Sequence, residues 1–490
     1  MKLGRIAAQA GYDAGAVAEQ TVTGFAIDHR KVAPGTVFGA FQGAQVNGED
    51  FIDAAVAGGA IAVVARPEAS VSGALHIPDP EPRRAFAKLA AQFFTPVPET
   101  IVAVTGTNGK TSTVELARQL WRMTGISAAS IGTLGVTTPD ESISTGLTTP
   151  DIVTFLGNMS GLAREGVTHV AYEASSHGLS QFRNEGLRVS AGAFTNLSRD
   201  HLDYHEDMEA YFAAKIRLFD EVVAADGGAV IWRGGDGWAA RAEEHARRRG
   251  LRVLTVGDEG EHIRLVARIP GTLGQTLEIE HAGASRMVPL PLIGAYQAAN
   301  ALVAAGLVIA TGGDAAQTFD GLSRLQPVRG RLERAALNRA GAPVYVDYAH
   351  TPDALTAAIE ALRPHVEARL IVVFGAGGDR DQGKRVEMGR AAEEHADVVI
   401  VTDDNPRGED PAAIRRQVLD GAPGAREIGD RRAAIAAAVA MGKPGDIVLI
   451  AGKGHEQGQI IGSGENMRVV PFDDVSVARE AAAAAAEASA

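Results

Sequence analysis

A chain of 490 residues is too long for one ordinary domain and predicts about three. With 46% hydrophobic and 22% charged residues it can build large buried cores, which excludes a disordered chain, and no apolar run approaches the ~18 residues that cross a bilayer. A formal net charge of −13 disfavours non-specific nucleic-acid binding, and the absence of cysteine removes disulfides, thiolate metal sites and a Cys nucleophile.

The first residues, MKLGRIAAQAGYDAG, lack the compact apolar stretch of a secretory signal, so a cytoplasmic location is expected. From 1 to about 90, the strand-length runs GFAID, TVFGAF and AIAVVA flank the helically spaced FIDAAVAGG, which predicts a small α/β domain. A boundary is expected between Pro82 and Pro98, where a helical segment gives way to the turn-rich TPVPET. From 91 to 329 strand and helix alternate, as in IVAVTG followed by a helix from Lys110 to about Thr124, and this predicts a parallel, helix-flanked sheet. The runs IRLVARI, TLEIEH and RMVPLPL read as an antiparallel ribbon, followed by a helix from Tyr296 to about Thr311. After Val328-Arg329-Gly330-Arg331 the rhythm restarts. PVYVDYA, RLIVVFGAGG, ADVVIVTDD and GDIVLIAGKG are four buried-type strands, so 330–490 is expected to be a Rossmann-like α/β domain. Ligands of open α/β sheets bind at the carboxyl ends of strands, where the polar residues of these runs gather.

The segment Thr105-Gly106-Thr107-Asn108-Gly109-Lys110-Thr111-Ser112 follows a strand and opens a helix. Glycines let the backbone approach phosphate, the helix N-terminus offers free N–H groups, Lys110 can reach terminal phosphates, and Thr111 can ligate Mg²⁺. The spacing is shorter than a strict Walker A, yet it predicts nucleotide binding through Gly106, Thr107, Asn108, Gly109, Lys110, Thr111 and Ser112.

Two further strands end in Tyr172-Glu173-Ala174-Ser175-Ser176-His177 and Thr195-Asn196-Leu197-Ser198-Arg199-Asp200-His201. Glu173 and His201 could converge on one metal. Spacing equally allows a strand-end carboxylate and a helix-start histidine. In Tyr211-Phe212-Ala213-Ala214-Lys215, helical spacing puts Tyr211, Leu218 and Phe219 on or near the face of Lys215. A desolvated lysine there could react as a neutral amine, but periodicity alone favours a surface lysine with a buried stem.

The short phosphate loop, with EASSHGL, TNLSRDHLDYH and YFAAKIRLF in the same order, resembles the Mur ligases, ATP-dependent enzymes that form amide bonds in peptidoglycan synthesis. The resemblance covers residues 20–475. It implies two Mg²⁺ ions, with Thr111 and Glu173 on the phosphate side. His201 and Lys215 would hold the second ion, the lysine carrying a CO₂-derived carbamate. Lys110, Lys215 and His201 would be the catalytic set. Asn300, Arg331 and Asp347, with His350 nearby, resemble further nucleotide contacts. Thr148, Thr149, Ser175, Gln181 and Arg183 resemble residues that hold the peptide and sugar of an acyl substrate.

In the first domain, Ile27 and His29, in Ile27-Asp28-His29-Arg30, resemble the UDP-recognition segment. The family usually has serine where His29 stands, and asparagine is common where Gln297 stands. Asp404-Asn405-Pro406-Arg407 resembles the motif of family members that add meso-diaminopimelate. Arg407 could grip the distal carboxylate of that amino acid in bidentate fashion, which a lysine substrate could not reciprocate. Arg380 would be a second guanidinium, Glu456 would take the distal ammonium, and Gly452 would allow close backbone approach. The implied substrates are UDP-N-acetylmuramoyl-L-alanyl-D-glutamate, meso-diaminopimelate and ATP, handled by a monomer with no nucleic-acid partner.

Overall fold

The computed structural model describes all residues except 44–45, 139–141, 144–147, 203, 235–236, 272, 380–381 and 488–490. The expected three-domain α/β architecture is present, with one main sheet to each domain and a further two-stranded hairpin near the C-terminus. By internal packing the chain forms two compact units. One comprises Met1–Arg264 with Leu302–Thr318, the other Leu265–Ala301 with Phe319–Ala490.

The first unit opens with a four-stranded parallel sheet of β1 (Gly24–Ala26), β2 (Thr36–Gly39), β3 (Ala60–Ala65) and β4 (Leu75–Pro78). The helix Pro82–Phe93 covers it, starting on proline as a first helical turn permits. Phe86 lies edge-on to Phe25 and Phe41 at 5.3 and 5.4 Å, pairs worth about 1 kcal/mol each beyond area burial.

The central sheet is built from β5 (Thr100–Thr105), β6 (Ala128–Gly132), β7 (Gly135–Thr137), β8 (Ser142–Ile143), β9 (His169–Glu173), β10 (Val189–Phe194), β11 (Val223–Trp232) and β12 (Arg252–Gly257). Across the sheet the order is β12-β11-β10-β5-β9-β6-β7-β8, parallel from β12 to β6 and antiparallel beyond. The register places Phe194 opposite Thr105 and Glu173 opposite Val104, so β5, β9 and β10 end at one level. Their middles are fully buried aliphatic residues, as a sheet covered on both faces requires. β13 (Ile263–Gly271) begins beside β12, with Ile263 opposite Val256.

In the second unit, β14 (Gly274–His281) and β15 (Ala284–Leu290) form an antiparallel ribbon, as their alternation predicts. The last sheet comprises β16 (Glu333–Leu337), β17 (Pro343–Asp347), β18 (Leu370–Phe374), β19 (Val398–Val401), β20 (Arg426–Glu427) and β21 (Ile447–Ala451) in the order β16-β17-β21-β18-β19-β20. Only β16 runs antiparallel to its neighbour. A separate hairpin, β22 (Gly458–Ile461) with β23 (Arg468–Pro471), follows β21. Among the described residues no helix is long and apolar enough to cross a membrane.

Candidate functional site

The loop after β5 is fastened to the end of β10. Thr107 N–H donates to Asn196 O (2.9 Å), Asn108 N–H to Asn196 Oδ1 (2.9 Å), and Thr195 Oγ1 to Asn108 O (2.6 Å). Gly106 has φ +146°, and a Cβ there would lie 1.9 Å from Thr195 Oγ1, so only glycine fits. Gly109, at φ +88°, turns the chain into the helix Lys110–Met123, which carries Thr111 and Ser112 buried in its first turn. Lys110 Nζ folds back onto Gly106 O (2.9 Å) and Thr107 O (2.8 Å), at the mouth of this loop.

Lys215 is not a surface residue. It is 1% exposed, and its Nζ donates to Gly106 O at 2.8 Å and sits 4.4 Å from the ring centre of Tyr211. Burial, and then the neighbouring charge of Lys110, hold its pKa well below the ordinary lysine value. The helix Met208–Arg217 that carries it is capped by Asp207, whose carboxylate accepts from Ala210 N–H, and it runs on into a π-helical turn at Leu218–Val222. Tyr211 joins the lysine to the phosphate loop, its hydroxyl lying 3.3 Å from Thr107 Oγ1. His201 stands nearby, 6.1 Å from the Tyr211 ring and 5.1 Å from His177, at φ +52° and beside Asp200.

Glu173 ends β9 almost fully buried. Its two carboxylate oxygens accept from Thr133 N–H (2.7 Å) and Thr133 Oγ1 (3.2 Å), and Gly132 leaves room for it, since a Cβ there would meet Oε1 at 2.1 Å. The residues expected to hold the acyl substrate form one hydrogen-bonded group around this carboxylate. Thr148 Oγ1 lies 3.1 Å from Thr133 Oγ1, and Thr149 Oγ1 donates to Glu173 O (2.8 Å) and lies 2.9 Å from Ser175 Oγ. Arg183 donates to Thr149 O (2.8 Å) and to Gln181 Oε1 (2.7 Å). Thr133, which ties Thr148 to Glu173, was not among the residues expected from the sequence. Its one signal is its place directly after a buried strand.

In the first domain, Ile27 is exposed and the His29 ring stacks on Phe51, with centres 4.4 Å apart and planes 4° apart. Asp28 and Arg30 pair with one another, and that partnership holds the Asp28 carboxyl well below its ordinary range.

In the second unit, Gln297 Nε2 donates to Arg331 O (2.8 Å), Asn300 Nδ2 approaches Gln297 Oε1 (3.4 Å), and the Arg331 guanidinium lies 4.6 Å over Tyr348. Asp347 is buried at the end of β17 and accepts from Leu332 N–H (2.7 Å) and Ala349 N–H (2.9 Å), though burial dominates and raises its pKa.

A cavity of about 320 Å³ opens at the carboxyl ends of β17, β18, β19 and β21, lined among others by Asp404, Asn405, Arg407, Gly452 and Glu456. Two segments, the loop after β18 and the strand β22 with its following turn, hold the Asp404–Arg407 loop in place. Gly378 N–H donates to Asn405 O (2.9 Å), Arg407 N–H donates to Ile460 O (3.1 Å), and Gly462 N–H donates to Arg407 O (2.8 Å). Arg407 takes a left-handed φ of +50° and donates from Nη1 to Gly378 O (2.8 Å). Pro406 is not among the cavity's lining residues. It shapes the loop, and its carbonyl accepts from Glu409 N–H. Arg380 lies outside the described residues.

Two buried cations here also went unassigned at the level of sequence. Arg385 is fully buried and pairs with Glu409 at 2.7 and 2.9 Å, and Glu409 in turn accepts from Asp379 N–H (2.6 Å). Lys453, inside the quoted Gly452-Lys453-Gly454 run, is also fully buried.

Residues 21–94 match the Mur ligase family catalytic domain, 104–308 the Mur ligase middle domain, and 330–454 the Mur ligase glutamate ligase domain. A Zymomonas mobilis protein named UDP-N-acetylmuramoyl-L-alanyl-D-glutamate--2,6-diaminopimelate ligase is 63% identical over 460 residues, 94% of each chain. A Bradyrhizobium diazoefficiens protein of the same name is 53% identical over 474 residues, 96% of each chain. A solved structure of a ligase of that name superposes with a TM-score of 0.75 at 34% identity, covering 99% of each chain. With all three of its domains matched in order, the chain belongs to the Mur ligase family.

Proposed function

We propose that this chain is an ATP-dependent ligase that adds meso-2,6-diaminopimelate to UDP-N-acetylmuramoyl-L-alanyl-D-glutamate, in the making of peptidoglycan precursors. The observation that carries the choice of amino acid is the presence of both Arg407 and Glu456 on the wall of one cavity. A guanidinium and a carboxylate offer one partner to each charge of a zwitterionic distal end. A lysine side chain, ending in an ammonium alone, would leave the arginine unanswered.

The work divides by domain. Residues 1–90 take UDP, 91–329 the phosphates of ATP and the acyl end, and 330–490 the incoming amino acid together with some of the nucleotide contacts. The D-glutamyl γ-carboxylate attacks the γ-phosphorus of ATP, giving an acyl phosphate and ADP. The amine at the L-centre of meso-diaminopimelate then attacks the acyl carbon, and the C–O bond breaks to release phosphate as the amine loses a proton. Lys110, now on two carbonyls of its own loop, exchanges them for phosphate oxygens and offsets the charge that builds there. The loop N–H groups and the N-terminus of Lys110–Met123 orient the phosphates. Thr149, Ser175, Gln181 and Arg183 hold the peptide and sugar, and Asn300, Arg331 and Asp347 hold the nucleotide.

The donors at the phosphate end fit Mg²⁺. Thr111 and Glu173 offer hard oxygen ligands, and the Glu173 carboxylate is already fixed by Thr133. Bound Mg²⁺ supplies positive charge that offsets the repulsion between carboxylate and triphosphate. Among the described residues no three His, Asp or Glu side chains converge on a common point, so a second ion beside His201 needs another anionic donor. Lys215 supplies one if its neutral amine adds CO₂ and releases a proton, leaving an N-linked carboxylate. Its burial beside Lys110 favours that neutral amine. Mass spectrometry tests the whole reading. With ATP, Mg²⁺ and meso-diaminopimelate, the nucleotide precursor should gain one diaminopimelate less one water, and an unchanged precursor would overturn it.

A further inference from the structure

The cavity at the carboxyl ends of β17, β18, β19 and β21 poses an electrostatic problem. Arg407 and Glu456 line the same small space. Left alone, a flexible carboxylate there would swing onto the guanidinium. Each would then neutralise the other, and neither would be available to a ligand. Among the described residues the two make no ion pair.

Lys453 accounts for this. Its side chain is 0% exposed, at the turn after β21, and its Nζ donates to Asn405 Oδ1 at 2.8 Å. That oxygen also accepts from Ile460 N–H at 2.9 Å. Two donors on one atom fix which way the amide lies, and its NH₂ is thereby turned to Glu456 Oε2, 3.0 Å away. Lys453 Nζ itself lies 3.5 Å from the same Oε2. Both contacts fall on one oxygen of Glu456. The carboxylate is held to the Lys453 side of the cavity with Oε1 left to accept from a ligand. Arg407 has a tether of its own, through Nη1 to Gly378 O.

Resting on the reading of this cavity as the amino-acid site, we propose that Lys453 is a positioning residue that keeps Arg407 and Glu456 apart. Acting through Asn405, it holds Glu456 away from Arg407, so that the empty pocket stays an open dipolar clamp for a zwitterionic end.

The test compares two amino acids, meso-diaminopimelate and 2-aminopimelate, which keeps the distal carboxylate but lacks the distal amine. In Lys453→Met, Glu456 is released onto Arg407, and KM for both should rise about tenfold or more, while KM for ATP stays within about twofold. Adding Glu456→Gln removes the anion that blocks Arg407. The double variant should therefore recover KM for 2-aminopimelate to within about threefold of wild type, yet stay impaired for meso-diaminopimelate. Damage to packing alone would not be repaired by a second substitution. If Lys453→Met does not fold, Asn405→Ala breaks the same link from the other side, and the same rescue is read there. A Lys453→Met enzyme with unchanged KM values, or a double variant as poor with 2-aminopimelate as the single one, overturns the inference. A wild-type enzyme that does not turn over meso-diaminopimelate at all overturns instead the functional reading beneath it.

Discussion

Lys110 and Lys215 donate to the same oxygen, the carbonyl of Gly106, at 2.9 and 2.8 Å. Two ammonium groups on one acceptor repel each other, and the more deeply buried of them, Lys215, is the one driven toward its neutral form. Proton loss there removes the repulsion and produces the species that can take up CO₂. Enzyme incubated with ¹³C-bicarbonate should show a carbamate carbon signal by NMR that is missing from Lys215→Ala. That variant should be inactive and partly rescued by short carboxylic acids. Full activity in Lys215→Ala would remove the lysine from the site.

The same lowered pKa makes a prediction about stability. Between the folded pKa of Lys215 and the ordinary lysine value, the unfolded chain holds the proton and the folded chain does not. The unfolded state therefore binds more protons, and stability rises with pH across that window. Urea unfolding in CO₂-depleted buffer should show wild type gaining on Lys215→Met as pH is raised from neutral toward the ordinary lysine pKa. A difference that does not change with pH would mean that the lysine keeps its proton in the fold.

Gly106→Ala places a methyl group on Thr195 Oγ1 and forces a side chain into φ +146°. The strain falls on the phosphate loop, because β5 and β10 on either side are buried and paired. ATP binding measured by calorimetry should weaken about a hundredfold or more with little change in the unfolding midpoint. Unaltered ATP affinity would mean that the loop can move without cost.

The strands were the readable part of this fold, because parallel strands buried on both faces are nearly uninterrupted aliphatic runs, as in PVYVD and LIVVF. Short pieces such as β7, β8 and β22 carry too few residues to announce a period. The phosphate loop and the Asp404–Arg407 turn were legible because their residue types are tied to their chemistry. The setting of Lys215 was not, since periodicity places tyrosine and leucine on its face without saying whether that face is covered. Thr133, Arg385 and Lys453 act on residues distant in sequence, Glu173, Glu409 and Asn405, and such pairings exist only once the sheets have assembled.

Arg385 is such a clasp. Its guanidinium is fully buried on Glu409, which also accepts from Asp379 N–H, so it joins the loop after β18 to the loop after β19. Arg385→Met leaves Glu409 without its partner and should cost about 3 kcal/mol in urea unfolding, at the low end for a buried pair because Glu409 is partly solvated. KM for meso-diaminopimelate should rise with it. A loss below ~1 kcal/mol would show the pair to be a surface contact in effect.

Arg407→Lys keeps the charge and loses the planar fork. KM for meso-diaminopimelate should rise about tenfold or more, and that for ATP should hardly move. Equal changes in both would make Arg407 a structural residue of its left-handed turn.

Phosphate release with the nucleotide precursor, ATP and Mg²⁺ tests the central claim most directly, comparing meso-diaminopimelate, L-lysine and no amino acid. Rapid release should occur with meso-diaminopimelate alone. Release without any amino acid, or at equal rates with L-lysine, would contradict the assignment of the Arg407 and Glu456 cavity to a zwitterionic distal end.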